Sequence, residues 1–384
     1  MQSAAHANND FRSKLFEEIF RDCYAFQERN TDFVAFRIAG LEKLKRRLKD
    51  KLLGVMSSAG FVRRRYDPET LSQVLLATVD RLEGLERTYH RLQDDHSRQI
   101  LRDVLRLRLL GRRHVKLPIN NERFWTEYNS VDARFLKKRR TIAPQMRWDF
   151  NLYELPENGT PVKLHSNPLG ILQTFVLEQY AYRRISDPIC AGPGDIVIDG
   201  GGCWGDTTLY FAAKVGSAGK VYVYEFESGN LDVLRQNLDL NPHLRDSVRI
   251  VENALWDKSG EVLTYDPGGP ATTIALRQTQ SASAPAQTTT LSIDDLVHQQ
   301  SLPKVDFIKM DIEGAELNAL KGAEQSLRAF RPSLAISVYH RDDDWVTIPD
   351  YLDSLDLGYE FFLDHFTIYE SETVLFARSP QRPV

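Results

Sequence analysis

From residue 195 onward, short apolar runs rich in β-branched residues alternate with stretches of helical period, and this alternation constrains the fold more than any other feature. The runs are Ile196–Ile198, Val221–Tyr224, Val248–Val251, Val305–Met310 and Leu334–Val338, and helical stretches fall near 205–214, 229–239 and 313–328. Strands separated by helices need crossover connections, so they form a mostly parallel sheet covered by helices. The end of the chain breaks the pattern. Tyr359–Leu363 and Thr373–Ala377 have only a short loop between them and should pair antiparallel.

The first half reads differently. Residues 11–110 carry helical stripes: Phe11, Leu15, Ile19 and Cys23, then a stripe from Leu71 through Val74, Leu75, Val79, Leu82 and Leu85, then one from Ile100 to Gly111. Asp67-Pro68-Glu69 supplies start chemistry for the second stripe, and the helices should pack as a bundle. Residues 112–150 show no clear period. Asn158-Gly159 lies between two apolar segments, a β-hairpin signal, and a helical pattern follows at 169–183. Ser281 to Gln287 is a low-complexity stretch expected to be a surface loop. The resulting division is a basic helical region at 1–150 for substrate or partner binding, a linking hairpin and helix at 151–184, and an α/β domain at 185–384.

Charge follows that division. Residues 1–150 hold 31 Lys/Arg and 20 Asp/Glu, a balance of +11, and the remainder holds 18 and 33, a balance of −15. A basic half can attract nucleic acid or an acidic carrier. Its basic residues alternate with acids inside helical patterns, which favours solvated helix faces. No RNA-recognition signature or zinc knuckle is present, which argues against nucleic acid. No apolar run is long enough to span a bilayer, and no secretory leader is expected. Three scattered cysteines, Cys23, Cys190 and Cys203, form neither a disulfide framework nor a zinc cluster, so a reducing cytoplasm is expected. A homo-oligomer stays open.

The segment Asp195 to Asp206 runs from strand through a glycine-rich turn into a helix. Glycines let a backbone approach a ligand closely, and Glu225, twenty residues beyond Gly205, ends the next strand where an acid can accept hydrogen bonds from ribose hydroxyls. Gly200-x-Gly202-x-x-Gly205 also fits the dinucleotide pattern, which alone is weak. Asp199 at the strand end would repel a pyrophosphate but attract a sulfonium and an ammonium. That selects S-adenosyl-L-methionine over NAD. The alternative is a tight turn beside a solvated acid.

At this point the chain resembles the FkbM-type methyltransferase family. The likeness rests on Asp195–Phe211, Gly219–Phe226, Asn230–Asn237, Phe307–Gly322 and Glu372–Ala377, in order, and covers about residues 168–378. Three consecutive glycines at 200–202 depart from the family's more usual single glycine. The resemblance implies a Rossmann-like α/β methyltransferase domain, with a mostly parallel sheet and an antiparallel C-terminal strand pair, preceded by a mainly helical N-terminal region. It implies methyl transfer from S-adenosyl-L-methionine, leaving S-adenosyl-L-homocysteine, to a hydroxyl of a small molecule such as a sugar or secondary metabolite. By position, Asp199, Gly200 and Gly202 would approach the methionine part, with Gly201, Trp204, Gly205 and Asp206 in the same loop. Glu225 would hold the ribose, Ala254 and Leu255 would flank the adenine, and Asp311 would lie near the methyl. Tyr180 would close over the cofactor or else serve as a core tyrosine.

An alcohol acceptor must lose a proton, so a base near neutral pKa is expected. His340 is the first candidate because it follows the strand Leu334–Tyr339 at the carboxyl edge of the sheet. His365 is the second, and Asp311 and Glu313 are the third. Glu313 could instead be a first-turn acid of the following helix. These four could also hold a metal, although their spacing makes no tight metal motif and no metal is assigned. The rival readings are an NAD(P)-dependent oxidoreductase and a nucleic-acid or carrier-binding protein with a vestigial cofactor domain.

Overall fold

A computed structural model describes residues 2–24, 76, 78–112, 114–139, 150–157, 160–265, 274–275 and 286–380. Contacts divide the chain into two compact units, residues 1–121 with 367–371 and residues 122–366 with 372–384. The boundary between these two units falls after Asn121. Helix Glu122–Phe135 and the strand after it belong with the second unit, because they pack on the hairpin and on the short helix that follows it.

In the first unit, helix Gln2–Tyr24 packs on helices Leu82–Arg91 and Asp95–Leu110. The stripe Phe11, Leu15, Ile19 and Cys23 is buried as expected. Asp94 caps the third helix by accepting from Ser97 N at 2.7 Å, and Gly111 ends it with φ 74°. Two expectations fail. Val79 is 54% exposed, because a turn at 80–81 interrupts the stripe before the helix begins. The basic residues are also not all solvated. Arg106 is buried against Asp22 at 2.7 Å and Asp103 at 2.8 Å. Leu71, Val74, Leu75 and Asp67 to Glu69 lie outside the described residues.

The second unit is built on a seven-stranded sheet. In chain order its strands are β4 (Ile196–Gly200), β5 (Lys220–Tyr224), β6 (Val248–Val251), β11 (Phe307–Met310), β12 (Ser333–Ser337), β13 (Glu360–His365) and β14 (Thr373–Arg378). Their order across the sheet is β13-β14-β12-β11-β4-β5-β6. β4, β5, β6, β11 and β12 run parallel, while β14 pairs antiparallel with both β12 and β13. Every residue of β4 and β11 is buried, as continuous apolar runs in a parallel sheet require. Register places Gly200 opposite both Tyr224 and Met310, so the loops leaving β4, β5 and β11 emerge side by side. The chain proceeds outward from β4 through β5 to β6 and then returns to β11 on the other side. The carboxyl end of β4 is therefore a topological switch point.

The hairpin is present as β2 (Asn151–Glu157) and β3 (Thr160–Ser166), paired through Glu157 and Thr160, with β1 (Leu136–Lys138) alongside; Asn158-Gly159 itself lies outside the described residues. The helix expected at 169–183 stops early. Asn167 caps a short helix, Pro168–Ile171, which widens into a π-turn over Leu172–Val176, and Glu178 then turns left-handed at φ 49°. The helix expected at 313–328 is two, Glu316–Lys321 and Glu324–Phe330. A small sheet that the sequence pattern does not announce joins β7 (Ala254–Leu255), β8 (Val262–Tyr265), β9 (Ile274–Ala275) and β10 (Ala286–Leu291) in the order β7-β10-β8-β9. Ala286 and Gln287, assigned above to a surface loop, start β10, while Ser281 to Pro285 lie outside the described residues. Among the described residues no helix is long and apolar enough to cross a membrane.

Candidate active site

The glycine turn is shaped by its own neighbours. Gly201 has φ 81°, and a Cβ there would stand 2.0 Å from the Asp311 carbonyl oxygen. A Cβ at Gly202 would stand 2.1 Å from Val223 Cγ2. Both glycine N–H groups donate to the Tyr224 carbonyl, at 3.1 and 3.0 Å. The glycines thus let the loop wedge between the ends of β5 and β11. The space that a side chain at Gly202 would take is filled by Val223.

Asp199 departs from its expected role. It is fully buried, and its carboxylate accepts from Thr207 Oγ1 at 2.9 Å and Thr208 Oγ1 at 2.8 Å and pairs with Lys309 Nζ at 3.1 Å. Its charge is neutralised inside the domain, so the electrostatic argument against a pyrophosphate no longer rests on it. Lys309, which sequence reasoning missed, sits 1% exposed on β11. Its Nζ also donates to the Gly200 carbonyl at 3.0 Å and the Gly201 carbonyl at 2.6 Å and lies 5.2 Å from the centre of the Tyr180 ring. Burial works against the ammonium charge, but Asp199 and Asp311 outweigh it and hold Lys309 protonated. The available signal was a lysine inside an otherwise apolar strand, Phe307–Met310.

On the β5 side, Glu225 is buried, with Oε1 accepting from Phe226 N and Glu227 N, both at 2.8 Å, and Oε2 facing Asn230 Nδ2 at 3.3 Å. Burial pushes its carboxyl up to about 7 against the two backbone N–H donors. Cys203 lies close enough to both Glu225 and Asp206 to feel their charges, and burial raises its thiol well above the ordinary value. Asp206 opens helix Asp206–Val215, is partly exposed, and accepts from Thr174 Oγ1 at 3.2 Å. Trp204 does not face this edge as a ligand-binding residue would. Its indole packs edge-on to Phe150 at 4.6 Å in a buried cluster with Val233. Ala254 and Leu255 are buried on β7, and Leu255 Cδ2 reaches to within 2.9 Å of where a Gly200 Cβ would be.

On the β11 side, Asp311 is held by two tyrosines. Tyr180 donates to Oδ2 at 2.8 Å and Tyr339 to Oδ1 at 2.9 Å. Burial raises the Asp311 carboxyl, but His340, Lys309 and these hydroxyls together bring it below the ordinary value. Tyr180 is buried, so its hydroxyl lies on the carboxylate rather than at the surface. Gln179 bridges to Glu372 at the start of the last strand, a residue sequence reasoning assigned only to that strand. Burial and Asp311 push Glu372 up to about 8.

His340 joins the same cluster. Its Nδ1 meets Glu316 Oε1 at 2.8 Å, and its Nε2 faces Asp311 Oδ1 at 3.4 Å and Glu313 Oε1 at 3.7 Å. Burial lowers the imidazole pKa, but Glu316, Asp311 and Glu313 overcome it and hold the ring at about 9. The expectation of a neutral imidazole at pH 7 is therefore corrected: three carboxylates keep the proton on. Glu313 is not a first-turn acid. It has φ 55° in the loop before helix Glu316–Lys321, and burial raises its carboxyl to about 7. His365 stays out of the cluster, on β13 with Nδ1 against Thr373 Oγ1 at 2.8 Å.

The strand order and the switch-point edge are those of an α/β, Rossmann-like methyltransferase fold. Residues 189–361 match the family model of the methyltransferase FkbM domain. The hexuronic acid methyltransferase AglP of Haloferax volcanii is 31% identical over 111 residues, which are 28% of this chain and 43% of that protein. The chain thus spans under half the length of that relative. Methyltransferase FkbM from Methylobacillus flagellatus KT superposes with a TM-score of 0.50 at 18% identity, over 89% of this chain and 72% of that one, a likeness of fold.

Proposed function

We propose that the protein transfers a methyl group from S-adenosyl-L-methionine to a hydroxyl of a small molecule, with a sugar as the leading acceptor class. The observation that carries the reading is the switch-point edge itself. Glu225 and Asp311 flank the Gly201 turn at the ends of the two strands beside β4, one offering a carboxylate to a ribose and the other lying beside His340 and Glu313. Bound there, the cofactor supplies a methyl group already activated by its sulfonium. Glu225 Oε2 accepts the ribose hydroxyls, Asp206 in place of Asp199 offers the partly exposed carboxylate for the ammonium, and Leu255 with Ala254 gives the adenine an apolar wall. Tyr180 and Tyr339 fix the Asp311 carboxylate, which with the protonated His340 orients the acceptor hydroxyl, while Glu313, its carboxyl raised to about 7, receives the proton. The likeness to a hexuronic acid methyltransferase supports a sugar.

The match of residues 189–361 to the methyltransferase FkbM domain supports S-adenosyl-L-methionine over NAD, replacing the argument from Asp199. Calorimetry should show S-adenosyl-L-homocysteine bound and NAD not bound. Incubation with methyl-labelled cofactor and a panel of sugars, uronic acids and polyketide alcohols should place the label on oxygen. Tighter binding of NAD, or label found only on nitrogen or carbon, would overturn the proposal.

A further inference from the structure

The geometry points to a divalent cation site formed by Asp311 Oδ1, Glu313 Oε1 and His340 Nε2, with Glu316 orienting the imidazole from behind. A carboxylate only accepts hydrogen bonds, so the 2.8 Å contact between His340 Nδ1 and Glu316 Oε1 places a proton on Nδ1. Glu316 is fully buried and fixed in turn by Ile312 N, which donates to the same oxygen at 2.9 Å. A carboxylate on one ring nitrogen with the other turned toward further carboxylates is how metal-ligating histidines are oriented, and an ion bound there would displace the proton that Nε2 otherwise carries.

His340 Nε2 is buried, with the side chain 7% exposed, and makes no hydrogen bond. It is nevertheless aimed at two carboxylate oxygens, at 3.4 and 3.7 Å. Those separations are long for hydrogen bonds but suit atoms sharing an ion, since donors at about 2.1 Å from a cation stand roughly 3.0–3.6 Å from one another. Asp311, Glu316 and His340 each offer a ligand atom within 4.8 Å of the others, and Glu313 borders that cluster through His340 Nε2 at 3.7 Å. Charge favours the same occupant. Three carboxylates converge on one imidazole, and the nearby Lys309 is already committed to Asp199. A divalent ion balances that charge better than one proton can. Two oxygens and one imidazole nitrogen suit a Mn²⁺-like ion whose remaining positions stay open to water or to acceptor oxygens. Its use in methyl transfer rests on the reading above, whereas its binding does not.

The test is a Mn²⁺ titration of the full chain without cofactor or acceptor, with free Mn²⁺ read by electron paramagnetic resonance. One ion per chain is expected, together with paramagnetic broadening of the His340 ring signals. Glu313→Gln and His340→Gln should each weaken binding by about tenfold or more. If His340→Gln does not fold, Glu313→Gln, on a partly exposed loop, carries the comparison. Absence of stoichiometric binding at millimolar Mn²⁺, or equal binding by wild type and the folded variants, would overturn the site whether or not the protein methylates anything.

Discussion

Glu225 has one oxygen committed to the backbone and the other turned to a single amide, so its proton matters for what it can hold. Raised to about 7, it is mainly protonated at pH 6 and mainly ionised at pH 8. If the ionised form accepts the ribose hydroxyls, cofactor affinity should climb up to about tenfold per pH unit below 7 and level off above it. Glu225→Gln should flatten that profile, and Glu225→Ala should weaken binding by about 1.5–3 kcal/mol; calorimetry at several pH values decides both. The same group affects stability with a definite sign. Its folded pKa lies above the ordinary 4.5, so its contribution is present below pH 4.5 and lost as pH rises through 7. Glu225→Gln should therefore gain up to roughly 3 kcal/mol relative to wild type between pH 4.5 and pH 8, read from denaturant melts at both ends. Lys309 shows the opposite case, a buried charge with a partner. Lys309→Met leaves Asp199 buried and uncompensated and should cost about 3–5 kcal/mol. Adding Asp199→Asn should recover much of that loss, and denaturation of the two variants side by side would show whether it does.

At the scale of elements, the turn after β4 and the loop after β11 fit together as one piece. Gly201→Ala would strain a left-handed residue and drive a methyl group into the Asp311 carbonyl. It should lower stability by at least about 1–3 kcal/mol and displace Asp311 from Tyr180 and Tyr339. A variant that melts and binds cofactor like wild type would sink that account. The alternation of strands and helices was readable because each period matches one kind of burial, and the antiparallel pair followed from a loop too short for a crossover. The carboxyl-edge placement of Glu225, Asp311 and His340 followed from the same pattern. What could not be read depended on orientation across elements. Asp199 looked available because its partner, Lys309, comes from a strand more than a hundred residues away. Trp204 looked like part of the loop's ligand face, although its indole turns to Phe150. The helix pattern at 169–183 hid a π-turn, since periodicity says nothing about one extra residue in a turn.

At the scale of the whole molecule, the second unit holds every group of the proposed site, including Glu372, which stands where the chain re-enters that unit after residues 367–371. The first unit buries Arg106 against Asp22 and Asp103, an exception to the solvated basic faces its composition suggests. Lys309 links the site to the integrity of this whole second unit, and that has a use in the test tube. Its amine is sealed at the centre of the sheet, 1% exposed, while Lys304 a few residues away is 46% exposed. An acylating reagent should mark Lys304 within the first minutes and reach Lys309 only when the sheet opens. Peptide mass spectrometry over time would then report on rare excursions from the folded state, with Lys309 as an internal clock. Equal labelling rates at the two lysines would mean that the centre of the sheet opens as readily as its rim.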